Sequence, residues 1–170
     1  IFCTKEEAPV LELILKQKSG DLNCTIPLII SNHEILSDVG KRHHIDFYHI
    51  PIKNDKNKQE KKVINLLEEH KIDLIVLARY MQILSPYFVK KYRNRIINIH
   101  HGFLPAFKGS RPYHKAWKKG VKMIGATAHY VTEELDEGSI IEQDVESITH
   151  HYSIDKMIET GRDIERKVLL

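Results

Sequence analysis

Cysteine is scarce in this chain, and charge of neither sign dominates it. Cys3 and Cys24 are the two cysteines in 170 residues. They are too few and too far apart for a zinc knuckle or a redox CxxC pair, so a reduced, cytoplasmic setting is the simplest expectation. No apolar run approaches the roughly 18 residues of a membrane span, and no signal peptide is visible. The formal net charge is only +3, with basic residues interleaved among acidic ones, so neither a membrane nor a nucleic-acid partner is expected. Glycine is missing where a dinucleotide fold needs it. The first strand-like run ends Cys3-Thr4-Lys5-Glu6-Glu7, with no glycine to let the backbone approach a pyrophosphate. That disfavours a nicotinamide dehydrogenase. Lys5 is either solvated or placed to hold an anion near a helix N-terminus.

Histidine, by contrast, is plentiful. Three of the pairs are adjacent: His43-His44, His100-His101 and His150-His151. Neighbours on a strand point to opposite faces, which makes a poor chelate. No HExxH and no i, i+4 pair falls on an expected helix, so no metal is expected.

A hydrophobic content of 42% and a charged content of 29% are ordinary for a globular domain. A domain of this size hides roughly 70% of its unfolded surface. Strand-like runs are expected at Ile1–Cys3, Thr25–Ser31, Asp46–Ile50, Asp73–Ala78, Arg95–Ile99, Ile124–Val131 and Ile140–Ile148. Helical patterns lie at about 8–18, 34–42, 58–70, 86–93 and 113–120. The alternation predicts an α/β fold, a mostly parallel sheet flanked by helices. The last two strands are joined by a turn too short for a crossover and should pair antiparallel. One domain over residues 1–170 is expected, cut at both ends from a longer parent. The chain opens without Met and stops inside an amphipathic pattern (Ile154, Met157, Ile158, Ile164, Val168) that reads as an unfinished helix. The lysines Lys53, Lys56, Lys58, Lys61 and Lys62 read as a solvated helix face with its entry loop, or else as a phosphate or polyglutamate contact.

The chemistry concentrates at two places. Asn98 and His100, one residue apart on a β-branched strand, project from the same face near its C-terminal end, where open α/β sheets bind ligands. His101 should face away, and His114 should be structural. Downstream, His129 lies on a strand followed by the acidic turn Thr132-Glu133-Glu134-Leu135-Asp136-Glu137-Gly138. Such a turn is either a solvated hairpin loop or the means of returning Asp136 to the same sheet edge as His100. An amide donor, an imidazole and a carboxylate together suffice for attack on a carbonyl: the amide holds an oxyanion, the imidazole moves a proton, and the carboxylate orients the imidazole. The loop Ala78–Pro86, with Met81, Ile83 and Leu84, is either an ordinary strand-to-helix loop or one suited to a flat heteroaromatic ligand.

Together these segments resemble the formyltetrahydrofolate-utilising superfamily, whose signature of Asn-x-His plus a downstream Asp maps to Asn98, His100 and Asp136. The wording is most similar to its deformylase branch across Ala78–Pro86, Ile97–Phe107, Pro112–His114 and Gly125–Asp136. The transferase branch usually has Pro where His101 stands, and a Gly-rich phosphate loop after the first strand. Deformylases commonly have Ser at Gly102 and a His-Cys pair at Ala8-Pro9. The resemblance implies a Rossmann-like formyltransferase fold, with an upstream ACT-type regulatory domain outside this chain. It implies hydrolysis of 10-formyltetrahydrofolate to tetrahydrofolate and formate, for purine synthesis, with no cofactor. A protonated His100 beside Asn98 would meet the oxyanion. Arg79, Met81, Gln82, Ile83 and Leu84, with His129, Val131, Thr132, Glu133 and Leu135, would bind the folate, the triad converging beside the Met81–Leu84 loop. The expected partners are the folate substrate and further copies of the chain, as a homo-oligomer. The alternatives are glycinamide ribonucleotide formyltransferase and a catalytically silent folate-binding sensor.

Overall fold

The computed structural model describes residues 1–52, 55–109 and 111–170. Seven strands form one mixed sheet: β1 (Phe2–Cys3), β2 (Leu28–Ser31), β3 (Asp46–His49), β4 (Ile75–Ala78), β5 (Ile96–His100), β6 (Met123–Tyr130) and β7 (Ile140–Ser147), in the order β3-β2-β1-β4-β5-β6-β7. The helices are α1 (Ala8–Ser19), α2 (Ser37–His43), α3 (Lys56–Glu69), α4 (Pro86–Lys91), α5 (Pro112–Lys119) and α6 (Ile154–Leu169). The chain divides into two compact units, Ile1–Ile96 and Ile97–Leu170.

In the first unit β1 pairs in parallel with β2 and β4, and β2 with β3. β1, β2 and β4 are short and buried on both faces, as expected where helices cover a parallel sheet, whereas the edge strand β3 is exposed at Asp46 and His49. Leu28, Ile29, Ile30, Ile75, Leu77 and Ala78 are all buried. In α3, Val63, Ile64 and Leu67 turn inward while Lys56, Lys58, Lys61 and Lys62 stay exposed, as the charge pattern predicts; Lys53 lies outside the described residues. Glu60 is the polar exception on the buried face of α3. Its carboxylate accepts from both the backbone N–H (2.7 Å) and the hydroxyl of Ser85. Ser85 in turn caps α4 by accepting from the Phe88 N–H, with Pro86 in the first turn, a sequence-legible helix start.

In the second unit β5–β6 and β6–β7 pair antiparallel, as predicted for the last strands. Side-chain alternation divides this part of the sheet. Ile99, Ile124, Ala126 and Ala128 pack with Tyr113, Met157, Ile164 and Val168 into one apolar cluster, while Asn98, His100, Thr127 and His129 occupy the other face. The amphipathic run at 154–168 forms α6, capped by Ser153 accepting from the Lys156 N–H. Tyr113 is seated on α6 at Gly161, where a Cβ would fall 2.1 Å from the Tyr113 ring. The Tyr113 hydroxyl donates to the buried Glu165 at 2.9 Å.

Gly161 therefore reverses an ordinary rule. Gly→Ala in a helix interior normally stabilises by about 0.8–1.0 kcal/mol, but overpacking a buried ring costs about 1–3 kcal/mol. Gly161→Ala is expected to lower the urea midpoint, whereas a raised midpoint would show that Tyr113 does not need this space.

Candidate active site

Antiparallel pairing builds the site from two strands. Asn98 stands directly opposite His129, and His100 opposite Thr127, so four polar side chains share one face. A register shift in β6–β7 follows: Ala128 pairs with Glu142 but His129 with Ile140, and Ile141 is passed over. Such irregularities re-aim side chains beside functional sites. The Asn98 amide nitrogen lies 3.2 Å from His129 Nε2, and His129 Nδ1 lies 2.9 Å from the Tyr130 carbonyl oxygen.

The acidic turn returns Asp136 to this face. Thr132, Glu133, Glu134, Leu135 and Glu137 are exposed and Val131 is half-buried, while Asp136 and Gly138 turn inward. A Cβ at Gly138 would fall 1.6 Å from the Tyr130 carbonyl oxygen, so the turn closes only with glycine there. Asp136 itself sits at φ 59°, a left-handed conformation that Asp tolerates better than most residues. Its Oδ2 accepts from the Gly109 N–H at 3.0 Å and lies 3.4 Å from His100 Nδ1; its Oδ1 lies 3.8 Å from His129 Nε2. Next to it, Glu137 pairs with Lys108 at the surface.

The electrostatics of His100 follow from its burial. The ring is 4% exposed. Desolvation pushes its pKa below the ordinary histidine value, and His129 and Lys115 act in the same direction. The Asp136 charge and a hydrogen bond to the Phe107 backbone oppose them, but burial wins. Burial thus favours the neutral imidazole in the resting site. With its proton on Nδ1, facing Asp136, its Nε2 presents a lone pair, and among the described residues that buried nitrogen has no hydrogen-bond partner. Gly102 borders it: a Cβ there would lie 3.0 Å from Nε2.

Asn98, His100, His129 and Asp136 are thus brought together within one unit. His129 is 2% exposed, and its contacts are Asn98, Tyr130 and Asp136 rather than a solvent-facing surface. β5 ends at His100, and the His101 ring lies 5.6 Å from that of His100 and 6.0 Å from that of Tyr113, a member of the apolar cluster. His114 is exposed on α5.

Sequence reading missed Thr127, the hub behind the site. Its hydroxyl donates to the Gly102 carbonyl (2.9 Å) and accepts from the Leu104 N–H (3.0 Å) and Gln143 Nε2 (2.9 Å). Gln143 also donates to the Leu104 carbonyl at 2.9 Å. These bonds fix the 102–104 turn that follows His100. The period-two spacing Thr127/His129 on β6 was the available signal. Among the described residues no group of three or more His, Cys, Asp or Glu is arranged to hold a metal ion.

The remaining predicted residues belong to the first unit. Tyr80, Met81, Gln82, Ile83 and Leu84 line a cleft of about 340 Å³ with Phe88 and Glu60, within the size range of small-molecule sites. Arg79 opens this loop at φ 60°, and the Met81 N–H is held by Thr4 Oγ1 at 3.1 Å. Burial, with the Glu60 charge, pushes the Tyr80 phenol up to about 12, so it stays a neutral wall of the cleft. Its Met81 and Ile83 side chains are exposed.

Comparison with known proteins places these features. The sequence family described as formyl transferase matches residues 1–170. A formyltetrahydrofolate deformylase of Synechocystis sp. is 51% identical over 170 residues, covering 99% of this chain and 60% of the relative. The crystal structure of a formyltetrahydrofolate deformylase from Pseudomonas syringae pv. tomato superimposes with a TM-score of 0.96 at 47% identity, covering 99% of this chain and 57% of that one. A phosphoribosylglycinamide formyltransferase from Bacillus halodurans superimposes with a TM-score of 0.92 at 31% identity, covering 98% and 88%. The chain spans about 60% of the length of the curated relatives it matches. The match runs the whole length of the sequence, and on it the chain belongs to the formyl transferase family.

Proposed function

We propose that this chain carries the catalytic site of a hydrolase that converts 10-formyltetrahydrofolate and water to tetrahydrofolate and formate. One observation carries the chemistry: a buried imidazole whose Nε2, without a partner among the described residues, shares a strand face with an amide, its other nitrogen facing a carboxylate. The substrate class rests on the deformylase relatives.

His100 Nε2 takes a proton from water as its oxygen attacks the formyl carbon. The formyl oxygen becomes an oxyanion, to which an Asn98 N–H donates; one such donor is worth roughly 2.7–4 kcal/mol. The imidazolium so formed is stabilised by Asp136 and returns the proton to the departing folate nitrogen as the C–N bond breaks. Formic acid and tetrahydrofolate leave, the acid ionising to formate by giving its proton to solvent, and His100 is neutral again. The reading requires no metal or cofactor. We assign folate contacts to Arg79, Met81, Gln82, Ile83 and Leu84, and to Val131, Thr132, Glu133 and Leu135, on the family resemblance. No helix among the described residues is long and apolar enough to cross a membrane; a cytoplasmic homo-oligomer acting in one-carbon metabolism is the setting we propose.

Replacing His100 by Ala, or Asp136 by Asn, in the full-length protein should leave the fold intact and cut turnover by ~10²–10⁴-fold. A folded His100→Ala protein within about threefold of wild type is incompatible with a general base, whose contribution lies far above that bound.

The His100 titration has a definite sign. Its NMR midpoint should lie below the ordinary ~6.5, and activity should fall on the acid side as the base protonates. Asp136 opposes the downward shift, so Asp136→Asn should lower the midpoint further. A midpoint above ~6.5 in the wild type, or an upward move in the variant, contradicts the electrostatic assignment.

Hydrolysis and transfer separate in one assay. Formate should appear from formyltetrahydrofolate with no added amine, and glycinamide ribonucleotide should not divert it. Stoichiometric formyl transfer to that amine, with negligible formate in its absence, would establish a transferase; binding without turnover would establish a sensor.

A further inference from the structure

We propose that His129 is a positioning residue that holds the Asn98 amide with its NH₂ group, not its carbonyl, toward the developing oxyanion. The inference rests on the proposed hydrolytic reading and deepens it. Asn98 is useful only in one of two orientations, because its Oδ1 and Nδ2 are nearly isosteric. Packing alone does not choose between them, yet one presents a donor and the other an acceptor that would repel the oxyanion.

The choice is made from behind. The Tyr130 carbonyl oxygen, 2.9 Å from His129 Nδ1, can only accept, so Nδ1 carries a proton. A ring protonated at Nδ1 alone presents Nε2 as a bare acceptor. Its neighbour is the Asn98 amide at 3.2 Å, and an acceptor facing that amide requires an N–H from it. One Asn98 N–H is used on His129. The second, on the same nitrogen, remains on the face that also carries His100. Asp136 Oδ1 is the other group facing Nε2, at 3.8 Å, beyond hydrogen-bond range. His129 is 2% exposed, and its place opposite Asn98 is fixed by strand register. A backbone carbonyl thereby sets an imidazole tautomer, and the tautomer sets the amide.

Two readouts on the full-length protein test this. The first needs no activity: ¹⁵N NMR of the wild type should show His129 protonated at Nδ1 and not at Nε2, with a through-hydrogen-bond coupling between Asn98 Nδ2 and His129 Nε2. An Nε2-protonated or doubly protonated ring overturns the proposal, since Asn98 would then turn its oxygen to His129. The second is a double-mutant cycle on formate release. His129→Asn retains a donor for the Tyr130 carbonyl but removes the acceptor facing Asn98. It should lower kcat by ~10²–10³-fold, as loss of one oxyanion donor does, with KM changed less than threefold. In an Asn98→Ala background the same substitution should cost less than threefold. Additive losses, or a change confined to KM, would make His129 merely structural. A wild-type protein that releases no formate refutes the hydrolytic reading instead, and the NMR result still decides the orientation of Asn98.

Discussion

The antiparallel pairing of β5 with β6 is the constraint on which the site depends. It sets His129 opposite Asn98 and Thr127 opposite His100. Because side chains alternate with period two, a one-residue slip would send these polar groups into the apolar cluster and Ile99, Ala126 and Ala128 into the site. The core under α6 and the chemistry on the other face are thus two consequences of one register. Thr127 ties that register to the 102–104 turn through two hydrogen bonds, and Gln143 braces both partners, so the backbone after His100 cannot move independently of β6. A site on strands, locked from behind by hydrogen bonds, is more precisely held than one on loops.

Burial supplies the reactivity. An exposed histidine with a carboxylate partner would have its charged form favoured; here desolvation outweighs the Asp136 charge, which favours a neutral base whose Nε2 has no partner among the described residues. Asp136 is delivered by a turn whose other acidic members face solvent. The left-handed backbone at Asp136 and the obligatory glycine at 138 let one carboxylate leave that surface and turn inward. Sparsely populated backbone conformations concentrate at functional sites because the surrounding structure holds them there.

Much of this was legible in the residues themselves. The strand–helix alternation located every element to within a few residues, and the amphipathic pattern at 154–168 became α6. Asn98 and His100 were predicted to share a face from their spacing alone, and Asp136 to return from the turn. What escaped the sequence depends on partners distant along the chain. Thr127 and Gln143 look like ordinary strand residues until register brings them to Leu104. The protonation of His100 could not be read from a sequence, since it is decided by how completely the ring is buried. The orientation of Asn98 is further still from the sequence: it is fixed by the tautomer of His129, and that by a backbone carbonyl.

The most direct test of this account is the protonation of His100 in the resting, full-length protein at neutral pH, read by ¹⁵N NMR of its two ring nitrogens. A neutral ring with the proton on Nδ1, facing Asp136, and a bare Nε2 is the predicted result. A ring protonated at Nε2, or at both nitrogens, would leave no base at the site and would contradict the mechanism at its first step.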